Sequence, residues 1–169
     1  MNDTYYIYTD GSAVGRTPFY YGGWSVIIFK NGVTEENILN VIGGNGFPMT
    51  NNKAELTAIL KAVIFAKETY KKDKTSNFII YSDSQYSIDC VTKWCHGWKN
   101  KNWVNTKKQP VANKELIERI MNELYFTNNF IKIEKVKGHN NDFGNEMADS
   151  EATRQSAIIK SEKERVNDE

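Results

Sequence analysis

Ile7-Tyr8-Thr9-Asp10-Gly11-Ser12 and Ile80-Tyr81-Ser82-Asp83-Ser84-Gln85 nearly repeat one another, and in each an aspartate closes a short apolar run. β-branched and aromatic residues in brief runs are the pattern of buried strands, and a small residue following the acid marks a turn. If the two strands lie side by side and parallel, both aspartates emerge at one carboxyl edge, where open α/β sheets bind ligands. Two carboxylates held that close repel each other, so they need a shared proton or a divalent cation.

Around these strands the chain alternates strand and helix signals. The first strand is read as about Tyr5 to Thr9. A second runs from Trp24 to Lys30 after Gly22-Gly23, and Asn31-Gly32 reads as a two-residue hairpin leading to a third, about Val33 to Ile42. Val14 to Gly23 and Gly43 to Thr50 read as loops. From near Asn52, Leu56, Ile59, Leu60 and Val63 recur at helical spacing beside an alanine edge that includes Glu55. A fourth strand, Phe78 to Ser82, precedes a helix capped by Ser84. After a cationic insertion from Lys93 to Lys108, Asn113 caps another helix, and Ile131 and Ile133 mark an edge-like fifth strand. A last helix is expected from about Asn145 toward Ile159, with a fraying tail. The order implies one mixed sheet flanked by helices.

Composition narrows the class. The chain has 169 residues, 40% hydrophobic, and a formal net charge of +1. That suits one globular domain, and any basic surface must be local. No apolar run approaches the ~20 residues of a membrane helix. Cys90 and Cys95 fall five apart in a helical stretch, which argues against a disulfide and fits free thiols in the cytoplasm.

Four acids stand out by position: Asp10, Glu55, Asp83 and Asp149. Singly, each has an ordinary explanation, since helix dipoles favour acids in a first turn and aspartates form turns. The words around them are more specific. Tyr8-Thr9-Asp10-Gly11-Ser12, Thr50-Asn51-Asn52-Lys53-Ala54-Glu55-Leu56, Tyr81-Ser82-Asp83-Ser84-Gln85-Tyr86, and Val136-Lys137-Gly138-His139 through Asn145-Glu146-Met147-Ala148-Asp149 occur in that order. Together they closely resemble ribonuclease HI, the type 1 ribonuclease H family, from about Tyr5 to Arg154.

The resemblance implies a ribonuclease H-like α/β fold over residues 1–155, with residues 156–169 a partly helical or disordered tail. Its sheet would have five strands in the order 3-2-1-4-5, the first three antiparallel. It also implies an endonuclease that hydrolyses the RNA strand of RNA–DNA hybrids, leaving 5′-phosphate and 3′-hydroxyl ends. Asp10, Glu55, Asp83 and Asp149 would hold two Mg²⁺ ions ~3.5–4 Å apart, with Mn²⁺ able to substitute. His139 would assist proton transfer or product release, and Glu146 would be an auxiliary acid. The hybrid would be the partner of a cytoplasmic monomer with no obligate protein partner and no membrane. The family also leaves open a nuclease domain of a reverse transcriptase or phage replication enzyme, while Met1 beside the first strand fits a free-standing protein. A non-catalytic hybrid-binding module is a third possibility.

Recognition residues follow from the same resemblance. Gly11, Ser12, Asn51, Asn52 and Gln85 would face the RNA strand, whose 2′-hydroxyl is the handle that distinguishes it from DNA. Asn51-Asn52 could equally be a loop with a helix cap. Thr50 would meet a DNA phosphate at a helix start. There the chain departs from the family, which usually has a small glycine-rich loop with an asparagine; Val14 to Gly23 is longer and aromatic, with Arg16 in roughly that place. Trp94, Trp98, Lys99, Lys101 and Trp103 resemble the family's basic protrusion, which contacts the DNA strand independently of sequence. Trp94 and Trp98, four apart on a helix, could instead be core packing.

Overall fold

The computed structural model describes residues 2–136 and 142–168. Strands β1 (Thr4–Arg16) and β2 (Phe19–Lys30) form a long antiparallel hairpin. Strand β3 (Ile38–Gly46) pairs antiparallel with β2, while β4 (Asn77–Ser82) and β5 (Ile131–Lys135) add in parallel beyond β1. The sheet order is 3-2-1-4-5, as the motifs implied. Val26, Ile27, Ile28 and Phe29 are fully buried, because helices cover both faces of the central strands.

Helix α1 (Asn51–Lys72) covers one face, and α5 (Phe143–Asn167) the other. Between them in sequence come α2 (Gln85–Asp89), one π-helical turn (Cys90–Trp94), α3 (Cys95–Asn100) and α4 (Lys114–Glu123). The alanine edge of α1 (Ala54, Ala58, Ala62, Ala66) is buried, and it lets backbone approach backbone. At Gly11 the backbones of β1 and α1 come very close: a Cβ there would lie 2.4 Å from the amide nitrogen of Glu55. Gly23 plays the same part under α5, where a Cβ would meet the Ala152 carbonyl oxygen and the Ser156 nitrogen at 2.3 Å.

Several boundaries differ from the sequence reading. Val14 to Gly23 is not a loop; the first hairpin extends through it to a turn at Thr17-Pro18. The tip's Arg16↔Phe19 pairing explains why: Tyr20 and Tyr21 are good strand formers that keep the ladder going. Asn31-Gly32 does turn the chain, Asn31 with φ +62°, but a 3₁₀ turn (Glu35–Asn37) delays β3 to Ile38 and the strand then continues to Gly46. Asn113 precedes α4 in a left-handed conformation and makes no capping bond through its side chain. Helix α5 runs past Ile159 to Asn167, through the stretch expected to fray, its inner face held down by buried Ser156 and Ile159. Cys90 and Cys95 are buried free thiols.

Candidate active site

The parallel register of β1 and β4 pairs Tyr8 with Tyr81, so Asp10 and Asp83, two residues beyond on each strand, leave the sheet side by side. Glu55 reaches the same point from the fifth residue of α1, admitted by the missing side chain of Gly11. One carboxylate oxygen from each of Asp10, Glu55 and Asp83 lies within 4.8 Å of the others. Asp10 and Glu55 are buried, while Asp83 faces outward on the open side.

Burial decides the electrostatics. Loss of water is the largest influence on Asp10 and pushes its carboxyl up to about 7; the Asp83 charge adds to this, and a hydrogen bond with Glu55 works against it. Glu55 is pushed up further, first by burial and then by the Asp10 charge beside it. Asp83 is raised by burial of its inner side and by Asp149. At neutral pH this edge therefore retains a proton between Glu55 and Asp10, which a cation must displace. Glu55 Oε2 is buried and has no hydrogen-bond partner among the described residues. An all-oxygen set with an unpaired buried carboxylate oxygen fits a hard divalent ion, since such groups seldom persist unpartnered.

Asp149 lies outside the 4.8 Å cluster and is exposed on α5, yet its charge raises both Asp10 and Asp83. Its position depends on a residue the sequence reading missed. Ser25 pairs with Asp10 across the hairpin, and its buried hydroxyl donates a 2.6 Å hydrogen bond to the carbonyl of Ala148. The strand paired with the one carrying Asp10 thus holds the turn of helix that carries Asp149. A lone serine inside Trp24-Ser25-Val26-Ile27-Ile28-Phe29 was the available signal, because a buried hydroxyl requires a partner. Gly144 adds a second fixed point: a Cβ there would press to 2.5 Å against the Tyr8 ring. Glu146 is exposed in the first turn of α5. His139 lies outside the described residues.

The recognition residues divide in two groups. Near the acids, Asn51 and Asn52 open α1 and are exposed, but neither caps it; Thr50 does, its hydroxyl accepting from the Lys53 amide at 3.2 Å. The Thr50 hydroxyl still has its own proton to donate. Gln85, first in α2 and exposed, donates to Asp89 Oδ1 at 2.9 Å. Ser12 Oγ is 3.3 Å from Ser156 Oγ, and Arg16 is exposed at the hairpin tip.

The second group lies in the insertion. Lys93, Trp94, Trp98 and Lys101 line an open groove of about 490 Å³, and Lys99 is exposed beside it. The tryptophans form a graded series: Trp94 is 43% exposed, Trp98 packs partly against the core and Trp103 is 6% exposed. Ring centroids step 5.9 Å from Trp94 to Trp98 and 6.4 Å from Trp98 to Trp103. Trp103 is therefore a correction: its ring belongs to the core and supports Trp98, so it presents no face to a DNA strand. Trp94 is the surface ring of the three. His96 is exposed but lines a different cavity, with Met121 and Ile131.

The family model described as RNase H matches residues 2–157. A ribonuclease H of Polaromonas naphthalenivorans (strain CJ2) is 36% identical over 148 residues, 88% of this chain and 84% of its own. A ribonuclease HI of Rickettsia conorii (strain ATCC VR-613 / Malish 7) is 34% identical over 160 residues, 94% of this chain and 95% of its own. Among solved structures, the foamy viral protease-reverse transcriptase in complex with RNA/DNA hybrid superposes with a TM-score of 0.73 at 22% identity. That match covers 92% of this chain and 20% of that one, and it speaks for the fold.

Proposed function

The chain belongs to the ribonuclease H family, a family of nucleases acting on RNA–DNA hybrids, and from that premise we propose a hybrid-specific endoribonuclease that depends on divalent metal. One observation carries the reading: Asp10, Glu55 and Asp83, from three distant parts of the chain, converge at one sheet edge with Asp149 close enough to act on Asp10 and Asp83 electrostatically. Bound there, two Mg²⁺ ions would activate water and stabilise the departing 3′ oxygen in an in-line displacement at phosphorus. Mn²⁺ would serve in their place.

The protein's own groups have separable tasks. Asp10 and Glu55, the buried pair, would give up their proton to hold the ions. Asp83 and Asp149 close the site from the solvent side. His139 assists proton transfer or product release, which makes it an accelerator and not a requirement. Asn51, Asn52 and Gln85 offer amides that both donate and accept, suiting the ribose 2′-hydroxyl. Thr50, Arg16, Trp94, Trp98, Lys99 and Lys101 hold the DNA strand by charge and packing. The products carry 5′-phosphate and 3′-hydroxyl ends. The free thiols Cys90 and Cys95 support a cytoplasmic setting, and no helix among the described residues is long and apolar enough to cross a membrane.

The alternative of a reverse transcriptase domain has the shared fold in its favour. Identities of 34% and 36% to bacterial ribonucleases H, against 22% to the viral enzyme, support the bacterial-type reading. The complete set of four acids supports catalysis over a binding-only module. An end-labelled RNA–DNA hybrid incubated with the protein tests this directly. Cleavage of the RNA strand with Mg²⁺ and none with chelator is expected; hybrid binding without cleavage would leave only the module.

A further inference from the structure

The aromatic rings at the hairpin tip have no task in the reaction described above. Phe19 and Tyr21 are two apart on β2 and so face the same side of the hairpin, the side on which Gly23 meets α5. Both rings stack on Phe47: the Phe19–Phe47 centroids are 6.4 Å apart at 23°, and the Tyr21–Phe47 centroids 4.7 Å apart at 20°. The three rings form a nearly parallel ledge. It is fixed in place, since the Met49 amide donates to the Tyr20 carbonyl at 3.0 Å and the Thr17 and Tyr20 hydroxyls lie 3.1 Å apart. Phe19 is nonetheless 64% exposed, so one end of the ledge presents an apolar ring to solvent.

The charges beside the ledge say what would cover it. Lys163 of α5 has its Nζ 6.0 Å from the Phe47 centroid, and Arg16 is exposed directly opposite Phe19 in the hairpin ladder. Neither enters an ion pair among the described residues; the nearby Glu164 is matched by Lys160 at 4.0 Å. Flat rings in a row with unpaired cations at the rim are the elements of a single-strand stacking platform, where bases lie on rings and phosphates meet cations. The hairpin tip is tied to the start of α1, where Thr50 is proposed above to hold a DNA phosphate, by the Met49–Tyr20 hydrogen bond.

We infer that the Phe19–Tyr21–Phe47 ledge, with Arg16 and Lys163, is a binding site for unpaired DNA that continues from the DNA strand of a hybrid. The site rests on the hybrid-nuclease reading for its neighbour, but its ligand chemistry is its own. It would favour substrates whose DNA strand runs on past the RNA, such as a primer junction with exposed template, over blunt hybrids.

The test is fluorescence anisotropy on the whole protein with Ca²⁺ in place of Mg²⁺, using a blunt 12-base-pair hybrid, the same hybrid with a ten-nucleotide oligo(dT) overhang at either end of the DNA strand, the same with an RNA overhang, and oligo(dT) alone. One DNA overhang is expected to tighten binding about tenfold, in line with one or two stacked bases. Phe19→Ala and Lys163→Ala should each remove most of that gain while leaving affinity for, and Mg²⁺-dependent cleavage of, the blunt hybrid unchanged. Equal affinity for blunt and overhung hybrids overturns the site, as does an overhang gain that survives both substitutions. An equal gain from RNA overhangs overturns its assignment to DNA. If the blunt hybrid is neither bound nor cut, the nuclease reading fails independently, and oligo(dT) alone then decides the ledge: binding weakened by Phe19→Ala supports it, and binding unaffected or absent removes it.

Discussion

The carboxylate edge and the tryptophan-lysine insertion serve the same substrate in the proposed reading, yet they are built in opposite ways. At the edge, polar groups are forced inside: Asp10 and Glu55 are buried, carry raised carboxyl affinities for protons, and are held by close backbone approach at Gly11. In the insertion, an apolar ring is forced outside: Trp94 is 43% exposed above Trp98, which rests on buried Trp103. Each region places residues where folding alone would not put them, and each has a scaffold that keeps them there. A reacting phosphate needs fixed, desolvated charge. A DNA backbone needs only an accessible, sequence-tolerant surface, so the insertion can be open.

That contrast can be broken at either end. Asp10→Asn should reduce hybrid cleavage to below about a thousandth while leaving hybrid affinity intact, because the buried charge is the catalytic part. Its metal-free melting temperature should not fall, since the substitution removes a charge that burial disfavours. Cleavage within about tenfold of wild type would dissolve the distinction. Next in size is Trp103→Ala, which should cost about 3–5 kcal/mol of folding stability in a urea titration. Trp94→Ala should change stability by no more than about 0.5 kcal/mol and raise KM several-fold at nearly constant kcat. If both substitutions unfold the protein alike, the insertion is core throughout.

Ser25→Ala probes the link between the edge and α5. Loss of the 2.6 Å bond leaves the Ala148 carbonyl with its helical partner alone, worth about 0.5–1.5 kcal/mol. If Ser25 positions Asp149, kcat and Mn²⁺ affinity should fall while hybrid KM stays constant. Unchanged Mn²⁺ affinity beside lowered stability would limit Ser25 to a structural role.

Much of this was legible in the sequence, for physical reasons. The strand-end aspartates could be read because short apolar runs ending at turns are a local signal, and sheet order then placed them together. Helical spacing placed Glu55 on the alanine edge, and its part in the site came from the resemblance of Thr50 to Leu56 to the family motif. Trp103 was not, because tryptophan with neighbouring lysines gives the same pattern whether the ring faces solvent or core; only the fold distinguishes the first ring of the series from the last. The hairpin tip was misread because glycine and proline punctuation outweighed the strand preference of Tyr20 and Tyr21. Ser25 required knowledge of what lies across the sheet, which a lone hydroxyl in an apolar strand signals but does not identify.

The raised carboxyls also fix a pH dependence. Their protonation is favoured in the folded state, so without metal the stability they contribute is full below the ordinary carboxylate range, near pH 4, and is lost as pH rises through about 7 for Asp10 and about 10 for Glu55. Metal must reverse that trend by replacing the proton. The most direct measurement is therefore Mn²⁺ titration calorimetry at pH 7 in two buffers of different ionisation enthalpy, which counts protons released on binding. The account predicts release of about one proton or more per protein, diminished in Glu55→Gln. Binding with no proton release, or binding by Glu55→Gln indistinguishable from wild type, would contradict it.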